Sequence, residues 1–99
     1  MFRGTTPTLK FTLPFGADRL SCAWITLAQN KKDIIDKPIT ECACAENALT
    51  VTLTQEETLL LNSDCKTEIQ IRVKTADGKA LASKIFVVDT GRILKDGEI

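Results

Sequence analysis

Apolar residues recur at every second position in five separate stretches of this chain, the period of half-buried β-strands. From Thr8 to Leu13 the alternation is strict: Leu9, Phe11 and Leu13 share one face, and Thr8, Lys10 and Thr12 the other. Pro7 and Pro14 bracket this run. Proline donates nothing to a ladder, so the brackets predict a strand at the edge of its sheet. After a loop over Phe15-Gly16-Ala17-Asp18, a second strand runs from Cys22 to Gln29. Ala23, Ile25 and Leu27 form one of its faces; Cys22, Trp24, Thr26 and Ala28 form the other. The polar turn Asn30-Lys31-Lys32-Asp33 predicts a hairpin into Ile34-Ile35-Asp36. Pro38 interrupts, Ile39 to Cys44 reads as a short edge strand, and Glu46-Asn47 as the next turn.

Leu49, Val51 and Leu53 alternate with Thr50, Thr52 and Thr54, which predicts another half-buried strand. The text then changes period. Thr54-Gln55-Glu56-Glu57 fits the capping box, where a hydroxyl and a carboxylate each satisfy a backbone amide at a helix start. Asn62-Ser63-Asp64 limits that helix to a single turn ending near Leu60. From Lys66 to Thr75, Ile69, Ile71 and Val73 face in while Glu68, Gln70, Arg72 and Lys74 face out. Asp77-Gly78 marks a tight turn, with Gly78 free to adopt positive φ. The chain returns as a strand from Ala80 to Val88, with Leu81, Ile85 and Val87 inward and Lys84, Phe86 and Val88 on the opposite face. Ile93, Leu94 and Ile99 sit among charges in the tail.

Six to seven short strands with turns every eight to twelve residues, and one helical turn, predict an all-β fold over residues 1–99. The expected architecture is a single immunoglobulin-like antiparallel β-sandwich, with a small antiparallel barrel as the alternative. Its expected core is Leu9, Phe11, Ile25, Leu27, Leu49, Val51, Leu53, Ile69, Ile71, Val73, Ile85 and Val87. The 43% hydrophobic content suits a packed domain and argues against disorder.

Thirteen Lys and Arg balance thirteen Asp and Glu. Binding to nucleic acid draws on phosphate neutralisation, and no surplus of cations serves it, so no nucleic-acid partner is expected. Lys31-Lys32, the one basic dipeptide, falls in a turn that reads as solvated. No apolar run approaches the length of a membrane span, so no membrane partner is expected. The opening Met1-Phe2-Arg3-Gly4-Thr5-Thr6-Pro7 lacks the apolar stretch of a secretory signal, and the expected location is a cytoplasm.

In a reducing compartment Cys22, Cys42, Cys44 and Cys65 are expected as free thiols. A zinc site and disulfides are the weighed alternatives. Tetrahedral sites draw on cysteine pairs with two to four residues between them, whereas Cys42 and Cys44 are split by one residue, and the chain contains no histidine. No metal and no cofactor is therefore expected. The missing His and Tyr remove the commonest general base and a common proton donor, and no phosphate-binding or nucleophile-elbow motif occurs. Glu56-Glu57 reads as helix cap rather than catalytic pair, because adjacent residues diverge on a helix. No catalytic residue is assigned, and the chain is expected not to be an enzyme.

Arg3-Gly4-Thr5-Thr6-Pro7-Thr8-Leu9 followed by Phe11-Thr12-Leu13-Pro14-Phe15 resembles the opening of short structural proteins of Firmicutes phages and prophages. It is also similar to the first strand of the N-terminal immunoglobulin-like domain of phage baseplate upper proteins. Leu53-Thr54-Gln55-Glu56-Glu57-Thr58-Leu59, then Ile69-Gln70-Ile71-Arg72-Val73 with Thr75-Ala76-Asp77-Gly78, resembles the later half of the same proteins. The four cysteines are not part of that pattern. The resemblance implies a virion structural or assembly protein of the tail or baseplate. Such a protein would act through contacts with other phage structural proteins or with copies of itself, first in the bacterial cytoplasm and then in the particle. A carbohydrate- or host-surface-binding sandwich is the alternative, but its usual aromatic platforms are scarce here. Trp24, Phe86 and Val88 are the candidate partner-contact residues.

Overall fold

A computed structural model describes residues 1–99. Eight strands form two antiparallel sheets: β1 (Thr8–Thr12), β2 (Leu20–Gln29), β3 (Lys32–Pro38), β4 (Ala43–Ala45), β5 (Ala48–Thr52), β6 (Cys65–Thr75), β7 (Ala80–Ala82) and β8 (Phe86–Thr90). One short helix, α1 (Gln55–Leu59), separates β5 from β6. The three-stranded sheet runs β1-β5-β4, which puts β1 at an edge as its flanking prolines predict. The five-stranded sheet runs β3-β2-β6, and β7 and β8 share the far edge of β6. Together the sheets make the expected all-β sandwich.

Alternation explains which residues pack between the sheets. Ile25, Leu27, Leu49, Val51, Leu53, Ile69, Ile71 and Val73 are all buried, joined by Ala23, Ile35 and Leu61 in one core cluster. Each such aliphatic side chain contributes about 1.5–3 kcal/mol on leaving water. Leu9 and Phe11 are only partly buried and lean on that cluster from one side. Asn30 and Lys31 both take positive φ, 52° and 64°, the mirror-image turn whose twist matches a two-residue hairpin between β2 and β3.

Two expectations about strands need correction. Ile39 to Cys44 is not one strand: Ile39–Glu41 forms a 3-10 turn after Pro38, and only Ala43–Ala45 pairs, with β5. Ala80 to Val88 is not one strand either. Arg72 pairs with Ala82 and Ile69 with Phe86. Residues 70–71 on β6 therefore face residues 83–85, so the returning chain carries one extra residue, a β-bulge. Ser83 holds it: its N–H donates to the Ile71 carbonyl at 2.9 Å, its Oγ accepts the Ile71 N–H at 3.2 Å, and its carbonyl accepts the Gln70 amide at 2.9 Å.

A one-residue slip exchanges the faces of everything beyond it. Ile85 and Val87 therefore leave the expected core and are 51% and 53% exposed. Phe86 and Val88 turn to the inner side, opposite Ile69 and Thr67. The apolar residues of the tail do not pack on this face: Leu94 is 90% exposed, and Ile93 lies beside Gly4 and Leu59.

The capping box is present in full. The Glu57 N–H donates to Thr54 Oγ1 at 3.1 Å, and the Thr54 N–H donates to Glu57 Oε1 at 2.9 Å. Arg3 closes the other end of α1, giving its Nε–H to the Leu61 carbonyl at 2.7 Å and its Nη2–H to the Leu59 carbonyl at 3.0 Å. Thr58 adds a bond to the Thr5 carbonyl at 2.8 Å, so the N-terminal lead-in is anchored on the helix before β1 begins. No helix is long and apolar enough to cross a membrane.

Candidate partner-binding groove

The two sheets do not cover each other completely. Counted across its width, the larger sheet presents β3, β2, β6 and the edge shared by β7 and β8; the smaller presents β4, β5 and β1. β1, β6 and the β7–β8 edge line one space between the sheets, and the inward residues Leu81 of β7 and Phe86 of β8 are left exposed there. The result is a groove of about 600 Å³ between the free edge of β1 and the β7–β8 edge. From β1 and the loop after it come Leu9, Phe11, Leu13 and Phe15; from β6, Ile69, Ile71 and Val73; from the far edge, Leu81 and Phe86. Leu81 is 46% and Phe86 41% exposed, although both sit on the face that elsewhere forms the core.

The charged groups around the groove are few and of one sign. Lys84 stands over the Phe86 ring, 5.4 Å from its centre, and Arg19 over Phe15 at 5.7 Å. Lys10 projects from the middle of β1. Neither 8–15 nor 79–88 contains an Asp or Glu, while together they carry Lys10, Lys79 and Lys84.

The three residues singled out in the sequence do not form one site. Phe86 lines the groove, but by virtue of the bulge rather than by facing away from the core. Val88 is partly buried against the core cluster. Trp24 lies on the opposite, outer face of the larger sheet, between Pro38 and Arg72 in the ladder. There it is 45% exposed beside Thr26, whose hydroxyl donates to Asp36 at 2.7 Å, and Gln70. A single partner surface does not reach both aromatic residues.

Leu81, Leu13 and Phe15 complete the groove and were not among the sequence candidates. Pro14-Phe15 directly after an edge strand was the available signal.

The cysteines are dispersed. All four are unpaired, with Cys44 exposed and the others partly covered. No cluster of His, Cys, Asp or Glu has the grouping that holds a metal ion. Burial pushes the Cys42 thiol above its ordinary pKa, with the neighbouring Cys44 adding to the effect, so this sulfur is poorly disposed to act as a thiolate.

Comparison with known proteins gives no further footing: no family model, no curated protein and no solved structure matches this chain.

Proposed function

We propose that this chain is a non-enzymatic assembly module of a phage or prophage particle, part of its tail or baseplate, that engages another structural protein through the groove. The observation that carries the reading is the open apolar face. Leu81 and Phe86 lie on the core side of their sheet without a facing strand, and a contiguous exposed apolar patch rimmed by polar residues is the mark of an interaction site. An aromatic residue in a charged surround is also the usual anchor of a protein interface. The phage context rests on the resemblance of the first strand, the capping-box turn and the β6 hairpin to short phage structural proteins. In that context the protein works in the bacterial cytoplasm during assembly and passes into the particle.

The test is biochemical. Particles purified from induced host cells are probed for this chain, and the tagged chain is used to isolate its bound proteins, which are identified by mass spectrometry. Tail or baseplate proteins recovered with the wild type and lost with Phe86→Asp support the reading. A chain absent from particles and from assembly intermediates, and recovered without any structural protein, refutes it.

One observation favours a second reading. Trp24 stands on a flat sheet face flanked by Asp36, Gln70 and Arg72, an aromatic plane with polar neighbours suited to a sugar ring. Quenching of its fluorescence by a glycan, abolished in Trp24→Ala, is the result that would place carbohydrate binding first.

A further inference from the structure

The geometry of the groove selects one kind of occupant. In the β1–β5 ladder, Leu13 donates its N–H to the Asn47 carbonyl at 2.7 Å, and the Pro7 carbonyl accepts from Leu53 at 2.9 Å. Backbone groups alternate sides along a strand, so the odd-numbered residues of β1 are spent on β5. Thr8, Lys10 and Thr12 consequently turn their N–H and C=O groups to the groove side. A ladder edge and an apolar floor thus meet in one place. One more strand beside β1 would satisfy the edge and lay its inward side chains over Leu81 and Phe86.

We infer that the groove takes an extended segment of another protein, paired with β1 as a fourth strand of the smaller sheet, with apolar side chains at alternate positions and carboxylates on its outward face. The inference rests on the assembly reading above and gives its partner a chemistry. Strand addition obtains affinity from main-chain bonds and specificity from pockets for alternate side chains. The carboxylates follow from charge. The charged residues on both edges that frame the groove are all lysines, and a side chain directly across from Lys10 lies within cross-strand reach.

A second folded copy does not fit. Antiparallel pairing of β1 with another β1 keeps the two inner faces on the same side. In each copy the β7–β8 edge stands across the groove from the free edge of β1, so two larger sheets brought together there would collide. The occupant is therefore a free segment, a terminal arm or an extended loop, rather than the edge of another sandwich.

A fluorescein-labelled synthetic peptide of about nine residues, long enough for one ordinary strand, tests this with the full chain. Its valines alternate with glutamate and threonine. Four controls carry the same residues scrambled, lysine in place of glutamate, or N-methyl groups on one or the other alternate set of amides. The expected result is saturable binding, about tenfold weaker with lysine peptide and with Phe86→Asp, and unchanged with Trp24→Ala. Methylation of one alternate set abolishes binding and of the other does not. Hydrogen exchange slows at the Thr8, Lys10 and Thr12 amides. Equal binding of the scrambled peptide, no binding at all, or exchange unchanged at those amides overturns the inference. The two claims separate cleanly. Structural proteins captured equally by wild type and Phe86→Asp leave the assembly reading standing and remove the groove from it. Peptide binding as described, with no structural protein captured, does the reverse.

Discussion

Lys37 Nζ on β3 lies 2.8 Å from Glu57 Oε2 on α1, and the other oxygen of that carboxylate closes the capping box at Thr54. One side chain therefore ties the helix start to the far edge of the larger sheet. Glu41 joins at 3.3 Å from the same ammonium. Lys37 is 8% exposed, and its charge is tolerated there because two carboxylates answer it.

The pH dependence follows from this pair. Burial alone would raise the Glu57 carboxyl, but the Lys37 hydrogen bond and the Thr54 amide outweigh it, leaving the group below its ordinary 4.5. A depressed carboxyl contributes stability above the unfolded value and loses it as the pH falls through the folded one. The hydrogen bond to Glu57 raises Lys37 above 10.5 against the opposing effect of burial. Its contribution is present at neutral pH and is lost only as strongly alkaline pH passes the folded value. Glu57→Gln, which can still accept the Thr54 N–H, is expected to cost about 1–3 kcal/mol near neutrality. The loss should shrink as the pH falls from neutrality through the folded value of Glu57, by urea denaturation at neutral and at acid pH. An equal loss at both would mean that the charge is irrelevant.

How much of this was legible in the sequence varies with the kind of information needed. The capping box was readable because it lies within four consecutive residues, Thr54 to Glu57. β1, β2, β5 and β6 were readable because each carries its own period of two. Lys37, by contrast, breaks no visible pattern, and its partner stands twenty residues away in the chain. The groove was hidden for a further reason. It depends on how many strands each sheet receives and on one extra residue at Ser83, and neither is written in the alternation of a single strand.

Gln29 is another buried polar residue that periodicity did not mark. It is 2% exposed, donates through Nε2 to the Asn62 carbonyl at 2.9 Å and to Thr67 Oγ1 at 3.1 Å, and accepts the Asn62 N–H at 2.8 Å. Thr67 in turn bonds Thr90 on β8, so the network joins β2, the turn after α1, β6 and β8. Gln29→Met preserves volume but strands the Asn62 groups and one bond of Thr67. The expected cost is about 2–4 kcal/mol in chemical denaturation, more than an ordinary surface change.

The thiols should report their surroundings directly. Iodoacetamide at mildly alkaline pH is expected to modify Cys44 first, because it is exposed, and Cys42 late, because its thiol is partly covered and held above its ordinary pKa. After denaturation all four should titrate. Peptide mapping by mass spectrometry follows the order, and rapid labelling of Cys42 in the folded protein would contradict the packing around Pro38, whose carbonyl accepts from its Sγ at 3.4 Å.

The bulge at Ser83 gives the sharpest test of the fold, because it reverses what alternation alone expects for β8. Were β7 and β8 one regular strand, Ile85 and Val87 would be core, and their truncation would cost as much as that of Ile71. With the bulge, Ile71→Ala should lose about 2–5 kcal/mol, since Ile71 is buried in the core cluster and its truncation leaves a cavity. Val87→Thr and Ile85→Ser should each stay within about 0.5 kcal/mol, because both side chains already meet solvent. Val88→Ala falls between, as a partly buried residue against the cluster. Deleting Lys84 would take out the extra residue and place Ser83 opposite Ile71 and Ile85 opposite Gln70, with Phe86 still opposite Ile69, at the expense of the three bonds to Gln70 and Ile71 by which Ser83 fixes the present bulge. That variant should lose more stability than Lys84→Ala, which removes only the cation over Phe86. Urea midpoints for this set decide the register: a large loss at Val87 together with a small one at Val88 would mean that β8 runs one residue out of the pairing described.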